Sequence, residues 1–157
     1  MELVKEERPL SERDILQIHY LVLADKREDR GIYRRVPVRI LGAGHEPVQP
    51  YLIRPKMEEL LHYYLESTDH IVTRLAKFHV LFEGIHPFID GNGRTGRLIV
   101  NLELLKAGYP PIDIKFTGRA AYYDAYYVCH DLTAMEKLFA GYLNERLDRY
   151  LRILKDI

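Results

Sequence analysis

Between Phe82 and Arg97 the sequence forbids one continuous helix and demands a helix on either side. Ile71, Val72, Leu75, Phe78, His79, Phe82 and Ile85 recur at the three- and four-residue spacing of a helix buried around most of its circumference. Pro87 disfavours helical geometry at His86, so this helix must stop near Ile85. From about Gly93 the helical period returns through Leu98, Ile99, Leu102 and Leu105, and Gly108 followed by Pro110-Pro111 ends it. The junction, residues 86–97, carries an imidazole, a carboxylate, three glycines, an amide and two guanidiniums. A hydrophobic core has no use for that set of groups.

The rest of the chain supplies elements to bury these two helices. Ser11 followed by Asp14 predicts a capping box, with Asp in the place of Glu, for a helix whose apolar face is Ile15, Leu16, Ile18, Leu21 and Val22. Residues 1–10 read as a charged lead-in, and 25–30 as a solvated loop closed by Gly31. Val36, Val38 and Ile40 alternate as in a strand, residues 42–47 make a turn, and Tyr51, Leu52 and Ile53 can return as a second strand. Pro37, Pro47 and Pro50 exclude a central strand, so residues 33–53 form an exposed flap, either a hairpin or a structural loop. An unpaired hairpin edge can add a bound peptide as a further strand. Pro55 suits the first turn of a helix with Met57, Leu60, Leu61, Tyr64 and Leu65 inward, and Ser67-Thr68-Asp69 is expected to cap the helix after it. A tyrosine-rich helix is expected over Gly118–His130. Thr133 and Glu136 predict a capping box for a last helix, with Leu138, Phe139, Tyr142, Leu143, Leu147, Tyr150 and Leu151 on its face. The expectation is an all-α bundle of about six or more helices with one β-hairpin flap, in a single domain over 1–157.

Composition narrows the function classes. Lys and Arg total 23 against 23 Asp and Glu, so no global basic field exists to attract nucleic acid. Any phosphate-binding charge must be local. No apolar run approaches the roughly 18 residues of a membrane helix, which argues against a membrane partner. MELVKEERPL has no apolar core of a signal peptide. The single Cys129 cannot build an internal disulfide framework, and the expected location is cytoplasmic.

The junction has the chemistry of a phosphate site. Gly91-Asn92-Gly93 just before a helix start lets backbone N–H groups turn toward one anion, and the helix end adds about half a positive charge. Arg94 and Arg97 leave the first turn on neighbouring faces, and guanidiniums grip phosphate oxygens bidentately. Asp90 suits a phosphate only with Mg²⁺ between them. His86 can take a proton from an incoming hydroxyl. Singly these residues have bland readings: a turn, a structural histidine, an i,i+4 ion pair of Asp90 with Arg94. Together they suggest phosphoryl or nucleotidyl transfer.

The stretch His86-Pro87-Phe88-Ile89-Asp90-Gly91-Asn92-Gly93-Arg94-Thr95-Gly96-Arg97 resembles the HPFx(D/E)GNGRxxR motif of the Fic (filamentation induced by cAMP) family at every fixed position. Gly31-Ile32-Tyr33-Arg34, Ala107-Gly108-Tyr109-Pro110-Pro111 and Arg119-Ala120-Ala121-Tyr122-Tyr123 are similar to family stretches as well, so the resemblance runs from about residue 11 to the end. It implies an all-α Fic fold with a β-hairpin flap, and protein adenylyltransferase activity with ATP as co-substrate. On that resemblance His86 is the base that activates a Ser, Thr or Tyr hydroxyl of a target protein. Asp90 would hold Mg²⁺, and Gly91, Asn92 (backbone and side chain) and Gly93 would form the anion hole. Arg94 would hold the β-phosphate and Arg97 the γ-phosphate. The flap, Val38 included, would align the target by strand addition and cover the nucleotide. Tyr122, Tyr123 and Tyr126 fall where the family builds part of its adenine pocket, although a tyrosine stripe by itself reads more often as core. His130 stands where relatives can place an asparagine.

Two departures within the resemblance bear on activity. The Doc branch, which phosphorylates its target, has a lysine where this chain has Gly93, so the resemblance favours nucleotidyl transfer. Many relatives carry an inhibitory helix, (S/T)xxxE(G/N), and that pattern does not occur here: Ser11, Ser67, Thr68, Thr73 and Thr133 are followed four residues later by Ile15, Ile71, Val72, Lys77 and Lys137. The expectation is an unrestrained site, cut away from its inhibitory helix or restrained by a separate inhibitor protein. The alternatives are removal of AMP from a modified protein, or a toxin-like, partner-binding module of a toxin–antitoxin pair.

Overall fold

Ser11 opens the first helix as the sequence predicts. In the computed structural model, which describes residues 8–25, 28–40, 46–113 and 132–155, the Ser11 hydroxyl accepts from the Asp14 N–H, and the Asp14 carboxylate accepts from the Ser11 N–H. This capping box starts α1 (Glu12–Val22) and contributes about 1 kcal/mol. Arg8 grips both oxygens of Asp14 at 2.6 Å. Its hydrogen bonds and charge hold the Asp14 carboxyl down at about 2. Leu10, within the charged lead-in, is buried in the core.

Pro50 then opens a 3-10 turn, Pro50–Leu52, that runs directly into α2 (Ile53–Glu66). The return strand expected at Tyr51, Leu52 and Ile53 is therefore helical. Proline pre-sets the backbone for a helical first turn, the Leu52 N–H bonds Gln49 O at 2.9 Å, and Ile53 is buried as the first anchor of α2. Among the described residues of the flap, 33–40 and 46–49 are irregular and no strand forms. Residues 41–45, most of the expected turn, lie outside the described residues, as does the whole of the expected helix Gly118–His130.

The central element is α3 (Ile71–Ile85), with ten of its residues buried, among them Leu75, Phe78, Phe82 and Ile85. It packs against α2, against α4 (Asn92–Lys106) and against α5 (Leu132–Lys155), while α1 lies across α4 and α2. The cap of α3 is His70, whose Nδ1 accepts from the Val72 N–H, rather than the Ser67-Thr68-Asp69 run, which forms the preceding loop. The end of α4 follows expectation: Gly108 N–H bonds Leu105 O and Tyr109 N–H bonds Leu104 O, a paired closure with Gly108 in the left-handed region. Thr133 already lies inside α5, so it is not that helix's cap. Glu136 instead accepts the Thr73 hydroxyl of α3 at 2.7 Å. Among the described residues the fold is all-helical, with five α-helices, and Leu21 and Leu65, expected inward, are exposed.

Candidate active site

The site lies where α3 ends and α4 begins. His86, the C-cap of α3, is in the left-handed region at φ 51°, ψ 61° and is the only described residue other than glycine with positive φ. For an L-residue that conformation costs about 1–2 kcal/mol. Pro87 explains why the helix cannot simply continue. What holds the unfavourable geometry is Arg34, almost fully buried, whose Nε donates to the His86 carbonyl at 2.8 Å.

Phe88 anchors the loop. It is fully buried, with its ring stacked on His19 at 3.6 Å and tilted against Tyr33 and Phe82. Asn92 pins its backbone from both sides: Phe88 N–H donates to Asn92 Oδ1, and Asn92 Nδ2 donates to Phe88 O, each at 2.9 Å. The Asn92 side chain is thus buried and occupied within the loop. The oxygen and one of the two Nδ2–H donors of that side chain are thereby used on the Phe88 main chain. Its backbone stays at the first position of α4.

His19 of α1 is a site residue that sequence reasoning misses. Its Nδ1 accepts the Gly31 N–H at 2.9 Å, so the proton must sit on Nε2, which donates to the Asp90 carbonyl at 2.9 Å. Burial lowers its pKa, favouring the neutral ring this arrangement requires. The available signal is one histidine among Ile15, Ile18 and Val22, on a face otherwise reserved for apolar groups.

Gly91 caps α4 at φ 80°. A side chain there would be strained by that φ and would meet Val22 and His19 at 3.1 and 3.4 Å, so only glycine allows α1 to press against the loop. Gly96 does for α3 what Gly91 does for α1: a Cβ would come within 2.9 Å of His79 and 3.0 Å of Glu83. The close approach of α3 and α4 buries His79 and Glu83 beside Arg97. Burial, with the Arg97 charge acting the same way, holds His79 down at about 3. Burial pushes Glu83 up to about 7, against the pull of Arg97.

Asp90 accepts the Gly91 N–H at 2.6 Å and stands 3.4 Å from Arg94 with its side chain 44% exposed. The i,i+4 pair of Asp90 and Arg94 is therefore present, exposed and weak in water. Arg97 folds back over the start of α4: a Cβ at Gly93 would lie 3.1 Å from its Nη1. Any side chain at 93 must push Arg97 aside. Both arginines line a cleft of about 360 Å³ with Val22, Leu98, Asn101 and Asp113. Among the described residues no three His, Cys, Asp or Glu side chains gather as a metal cage. Asp90 alone is the kind of partner Mg²⁺ takes when phosphates supply the remaining ligands. Val38 is half-buried in the flap. Tyr122, Tyr123, Tyr126 and His130 lie outside the described residues.

Known proteins share this fold. The family model of the Fic/DOC family matches residues 9–104. Protein adenylyltransferase Fic of Drosophila melanogaster is 35% identical over 151 aligned positions, covering 92% of this chain and 30% of that protein. Fic-1 from C. elegans superposes with a TM-score of 0.86 at 29% identity, covering 99% of this chain and 47% of the other. A Fic domain containing signaling protein from Bacteroides thetaiotaomicron superposes at 0.79 with 26% identity, covering 90% and 64%. The chain thus spans less than a third of the length of the curated Drosophila relatives. No described helix is long and apolar enough to cross a membrane.

Proposed function

Because the chain belongs to the Fic/DOC family, we propose that it transfers AMP from ATP to a Ser, Thr or Tyr hydroxyl of a target protein, itself included, with release of pyrophosphate. The observation that carries this reading is the first two turns of α4: Arg94 and Arg97 line one cleft and leave a helix whose N-terminus is capped by a left-handed glycine a few residues after His86. A chain of phosphates, rather than one, suits two gripping guanidiniums and a helix end.

His86 accepts the proton of the target hydroxyl, whose oxygen attacks the α-phosphorus of ATP. A new P–O bond forms to the target, and the bond from the α-phosphorus to the bridging oxygen of the β-phosphate breaks. The backbone N–H groups at Asn92 and Gly93 face the charge that develops on the α-phosphate, and the Gly91 N–H, which donates to the Asp90 carboxylate, would join them when that carboxylate turns away. Arg94 binds the β-phosphate and Arg97 the γ-phosphate. Asp90 is the residue that would hold Mg²⁺, which when bound neutralises phosphate charge.

The flap, 33–53, with Val38 is proposed to align the target segment by strand addition. Tyr122, Tyr123 and Tyr126, on a further helix over Gly118–His130, are proposed for the adenine side. A separate inhibitor protein also belongs to the proposal, as do a single domain over 1–157 and a cytoplasmic location.

Intact mass after incubation with ATP and Mg²⁺ tests the reading. The expected result is a gain of one AMP on the protein or on an added target. A gain of bare phosphate would replace nucleotidyl by phosphoryl transfer, and no gain with any target or nucleotide would sink both.

A further inference from the structure

One buried cation ties the flap to the base. Arg34 lies at the foot of the flap, and the acceptors of its guanidinium hydrogen bonds are all main-chain carbonyls. Nε donates to His86 O at 2.8 Å and Nη1 to Val36 O at 3.0 Å. Nη2 donates to Val48 O and, at 3.4 Å, to Ile85 O. The Arg34 N–H adds a bond to Pro87 O at 2.9 Å. Val36 and Val48 are the two feet of the segment that carries Val38, so a single planar group closes the neck of the flap. The same group holds the last carbonyl of α3 and that of the histidine in its left-handed geometry. Burial of a guanidinium on neutral carbonyls alone is costly, and its donors must all be satisfied to offset that cost. A lysine, with three donors on one nitrogen and no fork, cannot reach four carbonyls spread around the edge of a planar group.

We propose that Arg34 is a positioning residue for AMP transfer, coupling the flap that receives the target to the orientation of the His86 base. The proposal rests on the AMP-transfer reading for its consequence and on geometry alone for the clamp. With the clamp intact, the flap cannot shift its feet without displacing the His86 carbonyl. The pocket of about 220 Å³ lined by Arg34 with Ile32, Tyr33, Arg35, Val36 and Ile89 lies between the flap and the 86–97 loop and would bring target contacts next to this coupling. The phosphate-binding start of α4 is held separately, by Asn92, Gly91 and His19. Loss of the clamp should therefore spare nucleotide binding.

The test compares the parent with Arg34→Lys and Arg34→Gln, and with Arg152→Lys as an exposed control on α5. Hydrogen exchange is read by mass spectrometry alongside ATP affinity and the kcat and KM of transfer. In the Arg34 variants, exchange in peptides over 33–40, 46–52 and 84–88 should rise together by about tenfold or more, while α1 and α4 stay protected. ATP affinity should stay within about threefold, kcat should fall by about tenfold or more, and Arg152→Lys should change none of these. Uniform loosening of all helices, loosening of one foot only, or a kcat within about twofold of the parent would overturn the proposal. One measurement needs no variant: in the parent, the Arg34 Nε–H should exchange slowly by NMR, and exchange as fast as that of exposed arginines refutes the clamp. A parent that transfers no AMP counts against the function, and the exchange results still decide the clamp.

Discussion

The catalytic loop and the flap are neighbours held by opposite means. Residues 86–97 are fastened from within and from three helices: Asn92 holds Phe88, Phe88 fills the core against His19 and Phe82, and Gly91 lets α1 close over the top. The described flap residues make no strand ladder, expose Val36, and are tied at the feet by one guanidinium. A loop that organises developing charge gains from being fixed beforehand, because nothing has to reorganise during the reaction. A segment that receives differing polypeptide gains from leaving its backbone groups for the partner.

The sharpest way to break this comparison is at the base. His86→Ala should lower AMP transfer by about 10²–10⁴-fold while ATP still binds, measured with ATP labelled at the α-phosphate and by calorimetry. Equal labelling by parent and variant would remove His86 from the mechanism. Phe88→Ala comes next and should cost about 3–5 kcal/mol of stability in urea unfolding, because a fully buried ring leaves a cavity under the loop.

A smaller effect comes from the buried pair behind Arg97. His79 has its pKa lowered from 6.5 to about 3, so its contribution to stability is lost as pH falls below the unfolded value. Glu83 has its pKa raised from 4.5 to about 7, so its contribution is present below the unfolded value and lost as pH rises through 7. Between about 4.5 and 6.5 the two slopes oppose, and the parent should show a flat stability profile there. Glu83→Gln should unmask the His79 slope, with stability rising with pH by up to about 1.4 kcal/mol per unit, as read from urea midpoints. An equally flat profile in Glu83→Gln would contradict the opposing slopes. The smallest expected effect is on the flap side: Val36→Asn should change stability by no more than about 0.5 kcal/mol yet raise the KM for the target severalfold. A large loss of stability would mean that the flap is as deeply built in as the loop.

Legibility in the sequence follows the range of the forces involved. The α3–loop–α4 junction is readable because Pro87, Gly91 and Gly108 act on their own or adjacent backbone. The Ser11–Asp14 cap is readable because both partners lie within one turn. The return strand expected at Tyr51–Ile53 gives way to helix because three apolar residues carry no period that separates the two, and Pro50 serves the helix. The Ser67–Asp69 cap does not form because several polar residues compete for one helix end, and Thr133 lies inside its helix rather than before it. The cap of α3 falls to His70, and Glu136 is drawn away to Thr73 across the helix interface.

The sequence by itself determined the residues of the site, their order, and the break in helical geometry that gathers them, since these depend on local sterics and on chemistry spelled out over twelve adjacent positions. Only the tertiary structure decided how that site is held. It turned the Asn92 side chain inward, locked one tautomer of His19 between Gly31 and Asp90, and set Arg34 across the flap and His86 from 52 residues away. The His19 and Arg34 contacts satisfy buried polar groups with partners distant in the chain, and no local pattern announces which partner packing will bring.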